Sequence, residues 1–88
     1  MSAWDVEIRI TPRPGILDPE GRTIERALGD LGYEGVRSVR CGRLVRVRLE
    51  ADGETDARGK AHDMCERLIA NPVVEDFELH VAPAEDAP

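Results

Sequence analysis

From Val36 to Ala51 the chain reads VRSVRCGRLVRVRLEA. Apolar side chains stand at Val39, Cys41, Val45, Val47, Leu49 and Ala51, with polar ones filling most of the gaps. A repeat of two is the mark of a half-buried strand, because successive side chains point to opposite faces. A two-residue hairpin turn at Cys41-Gly42 would mix arginines and large apolar side chains on one face. Reading straight through Gly42 keeps the odd positions together, with Arg37 and Arg43 out of place. Register is enforced wherever one face is buried. The pattern therefore predicts one long strand kinked or bulged at Gly42, or a hairpin with an odd-numbered loop. Such a strand would span roughly 50 Å at about 3.3 Å per residue. That exceeds what a small domain covers, so the overhang calls for a partner.

The other elements follow the same logic. Trp4, Val6, Ile8 and Ile10 alternate with Asp5, Glu7 and Arg9, predicting a first strand that ends in Thr11-Pro12-Arg13-Pro14-Gly15. Asp18 suits an N-cap, Pro19 the first helical position and Glu20 the positive end of the helix dipole. Ile24, Ala27, Leu28 and Leu31 then form a helical stripe from about Pro19 to Leu31, with Gly32 as the left-handed residue after it. Thr55 or Asp56 is expected to cap a second helix with Ala61, Met64, Cys65, Leu68 and Ile69 on one face, stopped by Asn71-Pro72. Val73 to Val81 gives a last strand. The order predicts an α+β two-layer sandwich of ferredoxin-like character, an antiparallel sheet with helices on one face. Residues 1–81 form one domain, and the small, acidic, proline-bearing 82–88 is expected to be a disordered tail.

Composition sharpens this picture. Eighty-eight residues with 41% apolar side chains allow one small core, near the size at which oligomerisation adds stability. Only Trp4, Tyr33 and Phe77 are aromatic, so that core is aliphatic. A net charge of −6 argues against nucleic acid or an acidic membrane as partner. The charge is uneven, since residues 37–48 hold five arginines and no acid. No apolar run approaches 18 residues and no charged-then-apolar leader is present, so a soluble, cytoplasmic protein is expected. Cys41 and Cys65 fall on predicted apolar faces and are expected to be reduced core thiols.

Little in the residues points to catalysis. The glycines form no phosphate-binding pattern. His62 and His80 lack metal-ligand spacing, and Cys65, three residues from His62, sits on the apolar stripe, where a thiol is inert. Asp52, Glu54 and Asp56 have the spacing of a calcium loop without its glycine and terminal glutamate. RNA binding on such a sheet would need stacking aromatics that the central strands lack. No catalytic, cofactor-binding or metal-binding residue is assigned, and no activity is expected of the chain alone.

Three segments carry a resemblance. Leu17-Asp18-Pro19-Glu20-Gly21, Val39-Arg40-Cys41-Gly42-Arg43 and the run from Met64 to Phe77, MCERLIANPVVEDF, resemble the PurS family over roughly residues 4 to 81. That family is the small subunit of phosphoribosylformylglycinamidine synthase in purine biosynthesis. Arg43 stands where the family commonly has lysine, and residues 82–88 are an extra tail. The resemblance implies a non-catalytic subunit that forms homodimers or homotetramers and bridges a glutaminase subunit and a synthetase subunit. It implies that the subunit supports ammonia transfer between them, while ATP, magnesium and glutamine are used by those partners.

Candidate contact residues are Arg40, Gly42, Arg43, Asp18, Asn71 and Glu75, with the double duty that Asp18 and Asn71 also suit helix ends. The competing reading is a dimeric regulatory domain binding a small ligand near Pro14-Gly15-Ile16-Leu17.

Overall fold

The computed structural model describes residues 1–85. Strand β1 (Ser2–Pro12) is followed by helix α1 (Pro19–Asp30), strand β2 (Arg43–Ala51), helix α2 (Glu54–Met64) and strand β3 (Glu75–Pro83). The three strands form one antiparallel sheet in the order β2-β1-β3, with Val6 opposite Val47 on one side and Val81 on the other. This register puts Val6, Ile8, Ile10, Val45, Val47, Leu49, Phe77, Leu79 and Val81 on one face. Helix α2 covers that face with Ala57 and Ala61, and Cys65 just beyond its end does the same, all fully enclosed, so small side chains let this segment sit close to the sheet. The result is the expected two-layer α+β sandwich.

Strand β2 is shorter than its pattern suggests. It begins at Arg43, opposite Ile10, and Val36–Gly42 is irregular. Gly42 is thus neither a kink within a strand nor a hairpin turn; it is the residue that leads into β2. The physical reason lies in β1, which ends at Pro12, so an earlier start of β2 would have almost nothing to pair with. β1 itself runs through Thr11 and Pro12, where Pro12 pairs only toward β3, opposite Glu75.

Helix α1 ends as its sequence predicts. Gly32 adopts φ 98°, Tyr33 N–H donates to Leu28 O and Gly32 N–H donates to Gly29 O, the paired bonds of a Schellman cap. Helix α2 starts earlier than Thr55 or Asp56 would imply: Gly53 is its cap, and Asp56 Oδ2 accepts from Asp52 N–H at 2.9 Å instead. Beyond Met64 the chain widens into a π turn over Cys65–Ile69, closed by Ala70 N–H to Cys65 O. The wider turn rotates the apolar stripe, so Ile69 and Ala70 join the core while Leu68 points outward, 86% exposed. The turn around Asn71 absorbs Val73 and Val74, so β3 begins at Glu75. It continues past Val81 to Pro83, and Ala84 N–H still donates to Ala3 O, so the ordered domain extends into the expected tail. The rest of that tail, residues 86–88, lies outside the described residues.

Helix α1 stands apart. Among the described residues it packs to no substantial extent on any strand or on α2. The chain measures 52 × 33 × 17 Å, with a radius of gyration of 16.7 Å. A compact chain of this length would have about 12 Å.

Candidate functional site

Five of the six candidate residues line or buttress one corner of the molecule, where the end of β1, the start of α1 and the loops entering β2 and β3 converge. A shallow cleft of about 230 Å³ there is lined by Pro12, Asp18, Glu20, Cys41, Gly42, Arg43 and Glu75.

Asp18 is the link between segments. Its Oδ1 accepts from Gly21 N–H at 3.0 Å, as an N-cap should, and its Oδ2 accepts from Cys41 N–H at 2.8 Å. These two backbone donors, Cys41 first, hold the carboxyl below its ordinary value, with the charge of Arg40 adding to the effect. The approach is close enough to demand glycine twice. A side chain at Gly21 would meet the Asp18 carboxylate and Val39 O, and one at Gly42 would run into Ile10 O.

Glu75 plays the matching part on the other side. Its Oε1 accepts from Asn71 N–H at 2.8 Å and from Arg43 Nη2 at 3.1 Å. The Asn71 bond is the chief reason its carboxyl titrates low, with Arg43 second. Arg43 Nη2 also donates to Ile69 O at 3.1 Å, closing the π turn against the start of β2. Asn71 Oδ1 accepts from Val73 N–H and its backbone O from Val74 and Glu75, so Asn71 shapes the turn. Asp18, Asn71 and Glu75 therefore hold loops in place. Arg40 differs: it is exposed, with no hydrogen bond or ion pair among the described residues.

Residues weighed for catalysis are scattered. His62 lies edge-on to Phe77 at 5.3 Å and pairs with Glu66, while His80 is 4.0 Å from Glu78. Cys65 is fully enclosed, and burial pushes its thiol pKa up. Asp56 is engaged by Asp52 N–H and Lys60. Among the described residues no three His, Cys, Asp or Glu side chains converge as metal ligands.

The sheet's open face carries the charges that the alternation placed there, and they largely neutralise each other. Arg48 Nε meets Asp5 at 2.7 Å, and Glu7 takes Arg9 at 3.0 Å and Arg46 at 3.7 Å. Most of the arginine-rich segment's charge within β2 is thus answered by β1.

What residue patterns alone missed is the large apolar surface elsewhere. Leu17, Leu31, Tyr33 and Val73 are all more than half exposed, and Ile24 is 38% exposed. The signal was the connection from Leu31 to Gly42, far longer than the roughly 2–6 residues that usually return a helix to its sheet. No helix among the described residues is long and apolar enough to cross a membrane.

Comparison with known proteins agrees with this architecture. A sequence model described as PurS, phosphoribosylformylglycinamidine (FGAM) synthase, matches residues 5–83. The PurS subunit of Methanocaldococcus jannaschii is 38% identical over 82 residues, covering 93% of this chain and 99% of that one. The Synechocystis PurS subunit is 36% identical, covering 97% and 85%. Among solved structures, a PurLQS chain from Thermotoga maritima superposes with a TM-score of 0.84 at 32% identity, covering 93% of this chain and all of that one. This chain belongs to the PurS family.

Proposed function

We propose that this chain is a non-catalytic, structural subunit of phosphoribosylformylglycinamidine synthase in purine biosynthesis. It bridges a glutaminase subunit and an ATP-dependent synthetase subunit in the cytoplasm. Family membership supplies the enzyme, and the PurLQS assembly of the Thermotoga relative supports the complex. The observation in this chain that carries the reading is α1. A helix with Ile24, Leu28 and Leu31 along one side stands clear of its own sheet, as expected of a subunit whose surface is completed by others.

Each step of the bridge has a physical reason. Ammonia released into bulk water is protonated and loses the lone pair that attacks carbon. Holding the glutaminase against the synthetase shortens the path and keeps water out. ATP, magnesium and glutamine are then handled by the larger subunits.

The chain works as a homodimer at least. β2 is an edge strand whose backbone receives, among the described residues, one side-chain cap, Lys60 Nζ on Glu50 O at 3.3 Å, near its end. The stretch from Arg43 to Leu49 remains suited to pair with its own copy, which would join two sheets into one of six strands. The corner around Asp18 and Arg43, with Arg40 outermost, is then offered to the larger subunits. Light scattering on this protein, alone and mixed with both larger subunits, tests the reading. It predicts a dimer or dimer of dimers alone and a three-way complex in the mixture; a chain that joins neither larger subunit contradicts it.

A further inference from the structure

The basic side chains divide by position. Among the described residues, every one outside residues 22–40 has a carboxylate oxygen within 3.7 Å. The four inside that range, Arg22, Arg26, Arg37 and Arg40, have none. Arg22 and Arg26 share α1 with Glu20, Glu25 and Asp30, so that helix is not basic. Arg37 and Arg40 are different: both are exposed, and no acid occurs from Gly35 to Leu49. The acid whose charge Arg40 meets is Asp18, and both oxygens of that carboxylate are taken, by Gly21 N–H and Cys41 N–H. The segment is nevertheless set in its path. Cys41 N–H is bonded to Asp18, Val39 O lies against Gly21, and Gly42 lies against Ile10 O. Two guanidiniums are thus displayed on a fixed backbone without a counter-charge, while Arg43, Arg46 and Arg48 of the same arginine-rich stretch are all paired.

We propose that Arg37 and Arg40 are a docking strip for an acidic segment of one of the larger subunits, each guanidinium taking a carboxylate of that segment. This rests on the subunit role proposed above and names the chemistry of the contact. The planar fork of arginine meets a carboxylate with two parallel hydrogen bonds, which a lysine cannot do. Three residues of extended chain span about 10 Å, and that sets the separation the two carboxylates must match. Two turns of a helix, about 11 Å, would present them so. A nucleic acid fits less well. The chain as a whole carries −6, so a polyanion meets repulsion over most of the surface. Residues 35–42 also hold no aromatic side chain on which a base could stack. An acidic patch on a folded subunit presents its charge in one place and escapes that repulsion. Because its path is already fixed, the strip gives up little freedom on binding. Charges of this exposed kind act mostly on the rate of encounter and on its salt dependence.

The test follows association of the full-length chain with each purified larger subunit by stopped flow, from about 0.1 M to about 1 M salt, over which the screening length falls from about 10 Å to about 3 Å. Arg37→Glu with Arg40→Glu is expected to slow association with one subunit at least about 10-fold at the lower salt and to flatten its salt dependence. Circular dichroism should not change, since neither side chain has a partner within the chain's described residues. Arg46→Glu with Arg67→Glu reverses as much charge at two arginines that are each 78% exposed elsewhere, and should change the rate far less. A strip reversal that leaves the rate and its salt dependence intact overturns the strip while the complex stands, and so does a control reversal that slows association equally. A native chain that joins neither subunit at any salt overturns the subunit role as well. A strip variant that sediments as a smaller species than the native chain, or a mixed-sequence RNA whose binding the reversal abolishes, gives the strip to another partner and overturns the proposal.

Discussion

Asp18 and Cys41, far apart in sequence, are joined by one hydrogen bond of 2.8 Å from the Cys41 N–H to the Asp18 carboxylate. The same carboxylate caps α1 through Gly21, so a single side chain fixes both where α1 starts and where the approach to β2 runs.

This gives a pH dependence with a definite sign. Asp18 and Glu75 are held below their ordinary values of 3.8 and 4.5 by backbone donors, Cys41 and Asn71 first. The folded state thus binds fewer protons than the unfolded one in acid. The stabilisation is complete above those ordinary values and is lost as pH falls through the lower folded ones. Urea titrations from pH 7 to pH 2 should show a plateau and then a decline. Asp18→Asn should lower the plateau and flatten the decline; an unaltered profile would remove Asp18 from this role.

Gly42 and Gly59 make a matched pair. A methyl at Gly42 runs into Ile10 O, whereas Gly59, inside α2, has open space around it. Gly42→Ala should cost about 1–3 kcal/mol, as overpacking does. Gly59→Ala should gain about 0.5–1 kcal/mol from helix propensity. Denaturant midpoints that move the same way in both variants would contradict this reading of the backbone approach.

Ile8 lies at the centre of the sheet, wholly enclosed. Replacing it by alanine should cost about 2–5 kcal/mol, a large share of the stability of a domain this small. A loss below 1 kcal/mol, measured by thermal unfolding, would mean that the core is not centred on β1.

Arg40 and Arg43 separate contact from stability. Arg43 is tied to Glu75 and Ile69 O at a half-exposed site, worth about 1 kcal/mol or less to the fold. Arg40 makes no hydrogen bond or ion pair among the described residues. Replacing both by alanine should leave the chain folded while weakening its association with the larger subunits. Assembly that is unchanged would sink the contact assignment.

Much of this fold was legible because local chemistry and tertiary need coincide. Trp4 to Ile10 alternates and is the central strand; Asp18-Pro19 and Gly32 bound α1 as their conformational preferences require. The misreadings share a cause, which is information lying outside the segment. Val36 to Cys41 alternates like a strand, yet β1 runs out at Pro12 and leaves it nothing to pair with. Leu68 fits a helical stripe until the π turn at Cys65 shifts the phase. The corner site was legible as a set of short motifs. That Asp18, Asn71 and Glu75 spend their polar groups on backbone amides appears only when the loops are brought together.

The most direct test of the bridging role is amidine formation by the purified synthetase and glutaminase subunits, fed with glutamine or with ammonia, with and without this protein. If the chain is a bridge, glutamine-driven turnover requires it and ammonia-driven turnover does not. Glutamine-driven turnover that proceeds equally well in its absence would contradict it.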